Sequence, residues 1–459
     1  MNTRMKGVLV AAGMLISLFV VDQRPGQCIP AFARKYGLRC SACHEAWPKL
    51  NNFGQVFKDN GYQLNNERDA PVWHDPAYWP ASVRITPQWR METNNRFAVD
   101  KVPGDATSGL TETKVNTSGF DVSGLDLWFA GTLARNISFQ VLPSLDSDGT
   151  FSFESAWVRF DNLAHSEWLN FKFGKFELDT PVSEKRFLTL TENGGFYQLY
   201  HYTPTSDINS FAGVGENQLG AEISGHSRNS YTRYAFSVLS SNSGQPGLPT
   251  SRTYDYYAHF SQGFVVSGLG LQRVGAYLYQ GQSPTYYLTA DGEPIPGTGR
   301  GNKSFYRAGG YGIWYIRDFD ISTVFMHGQD NAFLGTGTPF NQTTPLPDGA
   351  QSPTWNGGFF EAHYTLTPQF IGVARYEAIR MSRQALPTGT MLDNETLLTK
   401  DLGNTDAWVL GFRWYPIMTS RGGLALHPEY ANVLTRRTGQ VSGLNVRTSS
   451  FMIGLDFAF

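Results

Sequence analysis

Residues 40 to 44 read Cys40-Ser41-Ala42-Cys43-His44, the densest cluster of reactive side chains in this 459-residue chain. C-x-x-C-H is the attachment signature of c-type haem. Each thiol adds to one vinyl group of the porphyrin, and the adjoining imidazole reaches the iron as its proximal ligand. Two plainer uses of a cysteine pair fit less well. A thioredoxin-like redox pair wants a βαβ setting, and the flanks do not supply one. A zinc site wants more ligands close by, yet Cys28 is the sole other cysteine. The pattern therefore predicts one covalent haem c on Cys40 and Cys43, with His44 on the iron.

No motif supplies a sixth ligand. His74, in Val72-Trp73-His74-Asp75-Pro76, lies on a Pro-rich linker that could fold back, and it is the candidate distal ligand to the haem iron. Met91 is the alternative, but alternation from Val83 to Met91 puts it on the outer face of a strand. An open or water-bound iron is also compatible with the sequence.

The elements that must position the motif come next. Arg4 and Lys6 precede an apolar run from Gly7 to Val21, the layout of a secretory signal rather than a bilayer span. Residues 1–28 are expected to be that leader, with a cut before Ile29 or, alternatively, after Ala33. Export suits the haem, which is attached outside the bacterial cytoplasm. Residues 29–81 then form a small helical cytochrome segment. Pro30 opens a first helix and Gly37 stops it. Pro48 is expected to open a second, with Leu50, Phe53, Val56 and Phe57 on one apolar face against the haem and Gly61 as its stop.

Residues 82–459 read differently. Apolar and polar residues alternate at period two, as in Tyr254, Tyr256, Ala258 and Phe260 against Asp255, Tyr257, His259 and Ser261. The last strand sets Phe451, Ile453, Leu455, Phe457 and Phe459 against Met452, Gly454, Asp456 and Ala458. Strands are expected to start near residues 82, 122, 137, 152, 168, 217, 230, 252, 267, 304, 318, 354, 369, 405, 422 and 449. Long connections, such as 93–121 and 177–216, alternate with short ones such as Ala134-Arg135-Asn136 and Thr367-Pro368. That asymmetry belongs to outer-membrane barrels, with long outer loops and short periplasmic turns. The fold class is thus all-β: a transmembrane antiparallel barrel of about 16 strands in the lipid bilayer of a bacterial outer membrane. A formal net charge of -2 excludes a nucleic-acid binder resting on bulk positive charge.

The third outward connection, 177–216, carries Glu177, Asp179, Glu184, Lys185, Arg186 and Glu192, and either constricts the lumen or lies over the rim. His259, His327 and Glu361 alternate toward the lumen as solvated wall residues. Asp146 and Asp148 could attract cations, though a solvated loop explains them as well. A segment near fifty residues sits close to the size that needs a metal or partner to stay folded. The economical arrangement places the cytochrome segment as a plug in the periplasmic side of the lumen.

Ile29-Pro30-Ala31-Phe32-Ala33-Arg34-Lys35-Tyr36-Gly37, the motif from Cys40 to His44, and Trp47-Pro48-Lys49-Leu50-Asn51-Asn52-Phe53-Gly54 together resemble the fused monohaem cytochrome–porins of the bacterial outer membrane. Around Phe171-Lys172-Phe173-Gly174-Lys175-Phe176 there is also a likeness to phosphate-selective porins. The cytochrome–porin resemblance implies an electron-transfer oxidoreductase. Extracellular Fe(II) would be oxidised, and electrons would pass to a periplasmic carrier such as a soluble cytochrome. Electron delivery outward to extracellular acceptors, or a transport porin gated by its redox segment, would use the same parts. No residue pattern marks an iron-binding site.

Overall fold

Proline at the first helical position and a left-handed glycine just past the end bracket α1 (Pro30–Tyr36), where Gly37 has φ +63°. This is the computed structural model, which describes residues 30–64, 80–145, 149–180, 197–204, 213–242, 244, 253–284, 302–332, 347–391, 397–419 and 422–459. The leader 1–28, His74, Asp146, Asp148, Glu184, Lys185, Arg186 and Glu192 lie outside these residues. After α1 come one helical turn, α2 (Cys40–Cys43), and a tight hairpin of β1 (His44–Ala46) and β2 (Lys49–Leu50). Helix α3 (Asn52–Asp59) follows.

Two expectations about this segment are corrected. Pro48 does not open α3; it follows a cis Trp47-Pro48 bond in the hairpin turn, and the helix starts at Asn52 under an Asn51 cap. The cap won because the Asn51 carboxamide oxygen accepts from the Gly54 N–H at 2.9 Å. The buried face also differs: Gly54, Gln55, Phe57 and Asp59 are covered, while Phe53 is exposed. Gly61 does end the helix. Tyr62 N–H reaches the Phe57 carbonyl at 2.9 Å and Gly61 N–H reaches Lys58 at 3.2 Å, a Schellman pair of bonds with Gly61 at φ +74°.

Period-two alternation then builds the wall. Among the described residues, sixteen antiparallel strands close a barrel in chain order. They are β3 (Ala81–Val102), β4 (Asp105–Ala134), β5 (Ile137–Leu145), β6 (Phe151–Phe160), β7 (Asn170–Glu177), β8 (Asn217–His226), β9 (Thr232–Ser240) and β10 (Tyr254–Val266). The rest are β11 (Gly270–Pro284), β12 (Asn302–Ile316), β13 (Phe319–Gln329), β14 (Thr354–Thr367), β15 (Phe370–Arg383), β16 (Thr405–Met418), β17 (Gly423–Thr435) and β18 (Val446–Ala458). β18 closes onto β3 with Phe451 opposite Met91 and Ile453 opposite Trp89. The terminal residue completes the seam: Val83 and Phe459 exchange backbone bonds of 2.8 and 3.0 Å.

The outward positions of many strands are apolar and exposed, for example Phe173, Phe260, Phe325, Leu410 and Ile453. A closed barrel leaves no unpaired strand edge along its wall, and an outward apolar band suits hydrocarbon, so this is a transmembrane barrel of the outer-membrane type. Aromatic pairs lie on the same wall, with ring centroids 4.9 Å apart for Phe370–Phe412 and 4.3 Å for Tyr376–Trp408. Met91 lies on this outer wall, as alternation requires.

The first outward connection is not a loop. β3 and β4 continue as a ribbon to a Pro103-Gly104 turn, pairing Thr93 with Asn116 and Phe97 with Thr113. β-branched residues at Thr111, Thr113, Val115 and Thr117 favour that extended pairing over a coil. Above Thr448, the last β18 partner, the ribbon continues about 25 Å at strand rise.

Candidate functional site

The motif sits inside this barrel. The carbonyl of Trp47 accepts from Arg413 Nη1 of β16 at 2.9 Å and from the Tyr415 hydroxyl at 2.8 Å. Lys49 pairs with Asp320 of β13 and lies 3.2 Å from His363 Nδ1 of β14. Tyr315 donates to Glu45, the residue after His44. Asp59 takes a two-pronged bond from Arg233 of β9, at 2.9 and 3.1 Å. Arg159 of β6 donates to the Lys58 and Asp59 carbonyls at 2.9 and 3.1 Å. Burial alone would raise the Asp59 carboxyl, but the Arg233 guanidinium, His226 and the Ser230 hydroxyl together hold the group below its usual range. Contacts to six wall strands make residues 30–64 a plug.

Its aromatic side chains pack on one another. Phe32 lies against Phe57 and Tyr62 at 5.0 and 4.8 Å between centroids, and Tyr62 stacks on Trp157 of the wall at 6.3 Å. Phe57 was expected to meet a haem; here it is part of this protein–protein core.

Within the plug, the turn α2 is clamped from behind. Asn51 Nδ2 donates to the carbonyls of Ser41 and Ala42 at 3.3 and 3.0 Å, and Asn51 N–H donates to the Cys43 carbonyl at 2.9 Å. Gly54 backs the same carbonyl so closely that a Cβ there would lie 2.1 Å from the Cys43 oxygen. Any side chain at 54 would push the turn aside.

His44 follows directly, its ring buried and its Nδ1 3.1 Å from the Pro48 carbonyl. A carbonyl on Nδ1 selects the Nδ1–H tautomer and leaves the lone pair on Nε2, the arrangement typical of a metal-ligating histidine. Burial pushes the imidazole down to about 4, against the raising effect of the Pro48 and Lys49 carbonyls, so it is neutral near pH 7. Cys40, Cys43 and His44 are thus the residues that could hold a haem. The tethered, neutral imidazole and the fixed turn before it fit that group. Cys43 is half-buried.

No family model and no curated protein matches the chain. Among solved structures it is similar to in-vitro folded OmpT, an outer membrane protein of Vibrio cholerae, at 14% identity over 83% of this chain and 100% of that one, with TM-score 0.43. It is also similar to OprB of Pseudomonas putida, at 10% identity over 82% of this chain and 94% of that one, TM-score 0.45. A porin refined at 1.8 Å matches at 10% identity over 82% of this chain and 100% of that one, TM-score 0.42.

The lumen residues expected to be solvated are not. His259 is buried, with Nε2 2.7 Å from the Tyr311 hydroxyl and Nδ1 3.2 Å from Asp179. Glu361 is buried between His363 at 2.6 Å and Arg375 at 3.2 Å. His327 points outward, beside Tyr306 and 2.9 Å from Asn356, because the buried positions of β13 are the even-numbered ones.

The reason is that the third outward connection enters the lumen. Leu178, Tyr197, Leu199, Tyr200 and Val214 are buried in one core with Phe57 and Tyr62 of the plug. Leu199 N–H donates to Glu377 of β15 at 3.1 Å, and Asp179 pairs with Arg233. Plug and connection thus share Arg233 and one apolar core. Asn51, Gly54, Arg233 and Arg413 carry no sequence signature of this role; inward Arg at alternate strand positions was the available hint.

Proposed function

We propose that the chain is an outer-membrane cytochrome–porin that takes electrons from extracellular Fe(II) and passes them to a periplasmic carrier such as a soluble cytochrome. One haem c would be held covalently by Cys40 and Cys43, with His44 on its iron and His74 as the candidate second protein ligand. When bound, the haem supplies one-electron chemistry at a potential set by ligation, exposure and nearby charge. The chain's own residues do the rest. Asn51 and Gly54 fix the attachment turn, and the Pro48 carbonyl orients the His44 ring. Arg233, Arg159 and Arg413 hold the plug in the lumen.

The observation that carries this reading is the C-x-x-C-H turn clamped inside the transmembrane barrel. A filled lumen favours a plugged conduit over a solute channel, because plug and third connection leave a shared apolar core where a porin needs water. Electron flow outward would use the same geometry, so the donor must be tested directly.

The first test is attachment. The mature protein expressed with haem maturation machinery should keep one haem through denaturing electrophoresis. Cys40→Ala with Cys43→Ala should lose it. A His44→Met variant should keep the covalent link but shift the visible spectrum. Haem that dissociates from the native protein on denaturation would refute attachment at this motif.

A further inference from the structure

On the outer wall of the barrel, at the end with the long connections, two guanidinium groups gather around one carboxylate. Arg380 of β15 donates to Asp406 of β16, and Arg436, one residue past β17, reaches the same carboxylate at 3.4 Å. Arg447 of β18 is exposed on the same row two strands from Asp406, Leu434 of β17 being in register with both. The side chains of Arg380 and Arg436 are 43% and 38% exposed while that of Asp406 is 14% exposed. The cations face outward and the anion lies behind them.

Alternation fixes which wall this is. Ile379 and Thr405 are buried toward the lumen, so their neighbours Arg380 and Asp406 point away from it. Tyr376 and Trp408 pack against each other on the same wall, with tilted rings 4.3 Å apart between centroids. The Tyr376 hydroxyl also donates to Asp406 at 2.8 Å. Aromatic girdles sit at the level of lipid headgroups. Arg380 lies four residues beyond Tyr376, about 13 Å at strand rise. The Arg380 head returns to the Asp406 carboxylate that the Tyr376 hydroxyl also holds, so the cluster lies directly on the outer-loop side of this aromatic pair. Elsewhere on the outer wall, the upper ends of β12, β13 and β14 carry Tyr306, His327 and Asn356 instead.

We propose that Arg380, Arg436 and Arg447 form a binding site for the phosphorylated headgroup of an outer-leaflet lipid. Asp406 positions two of the three groups, and the carbonyls of Ile379 and Thr405 hold Arg380 further, each at 2.9 Å. Guanidinium donors beyond these bonds match phosphate oxygens in fork geometry. Placement on the bilayer-facing wall selects a lipid phosphate over a soluble one.

The test uses the full mature protein, folded and delipidated in zwitterionic detergent, titrated with phosphorylated lipid A and followed by native mass spectrometry. Dephosphorylated lipid A and inorganic phosphate are the comparison ligands. Folding of each variant is checked by heat-modifiable migration. Arg447→Gln, which leaves the Asp406 pairs alone, should weaken lipid A binding about tenfold, and Arg380→Gln with Arg436→Gln about a hundredfold. Lys175→Gln, on a distant strand, should change nothing. Folded variants that bind lipid A as the parent does would overturn the site. So would equal affinity for the dephosphorylated lipid, or inorganic phosphate binding as tightly as lipid A.

Discussion

Asp59→Asn should loosen the plug without unfolding the barrel. Asp59 and Arg233 are a two-pronged pair, with side chains only 8% and 6% exposed. Breaking a buried pair costs about 3–5 kcal/mol, because the remaining charge is left uncompensated. Here Asp179 still pairs with Arg233, which puts the cost at the lower end, about 3 kcal/mol. At about 1.4 kcal/mol per decade, the docked-to-undocked ratio falls roughly a hundredfold. The assay is a urea titration of the mature protein in detergent, reading proteolytic cleavage within 30–64 while barrel mobility on gels reports the wall. The variant's undocking midpoint should drop by the urea equivalent of that free energy. Arg233→Gln in a double-mutant cycle should give less than the sum of the single effects. A midpoint within about 0.5 kcal/mol of the parent, or strict additivity, would refute the claim that this pair seats the plug.

Other consequences follow from the same geometry. Gly54→Ala places a methyl group where the Cys43 carbonyl stands, and should cut the yield of covalent haem several-fold; Gly37→Ala, with nothing within 4 Å, should leave that yield unchanged and cost only backbone strain. Glu112 on the ribbon is held down to about 2: burial would raise it, but the Ser442 hydroxyl, the Val441 and Ser442 N–H groups and Arg96 prevail. Its folded value lies below the ordinary 4.5, so the staple to residues 439–444 is at full strength above about pH 4.5 and is lost as pH falls through about 2. Hydrogen exchange there, corrected for its intrinsic pH dependence, should rise across that window and be insensitive to pH in Glu112→Gln. Deleting Phe459 removes both seam bonds to Val83, about 2 kcal/mol, and should lower the temperature at which the barrel migrates as unfolded chain on gels. Planar-bilayer recordings of the parent should show little ion conductance, and sustained porin-like conductance would contradict the plugged-conduit reading.

The barrel was legible because its signal is repeated. Each of the sixteen expected starts falls within a few residues of an observed strand except the second, where β4 begins at Asp105 rather than near 122. The ribbon was misread because Gly109, Asn116, Ser118 and Gly119 look like loop composition, while cross-strand pairing overrides that local preference. Pro48 was misread for a similar reason: proline opens helices and turns alike, and only the Asn51 cap decides between them. Alternation gave the facing of His259 and Glu361 but not their burial, because burial depends on what enters the lumen. The contacts of the third connection with β15 and the plug cross hundreds of residues and leave no local pattern. His327 was lost to parity alone, one residue from the inward positions of its strand.

The central claim is that electrons enter from Fe(II) and reach a haem on Cys40, Cys43 and His44. Anaerobic stopped-flow mixing of the oxidised, haem-loaded protein in vesicles with external Fe(II) tests it most directly. The account predicts rapid appearance of the reduced c-type absorption bands, with a rate that depends on Fe(II) concentration. A haem that dithionite reduces but Fe(II) leaves oxidised would contradict it.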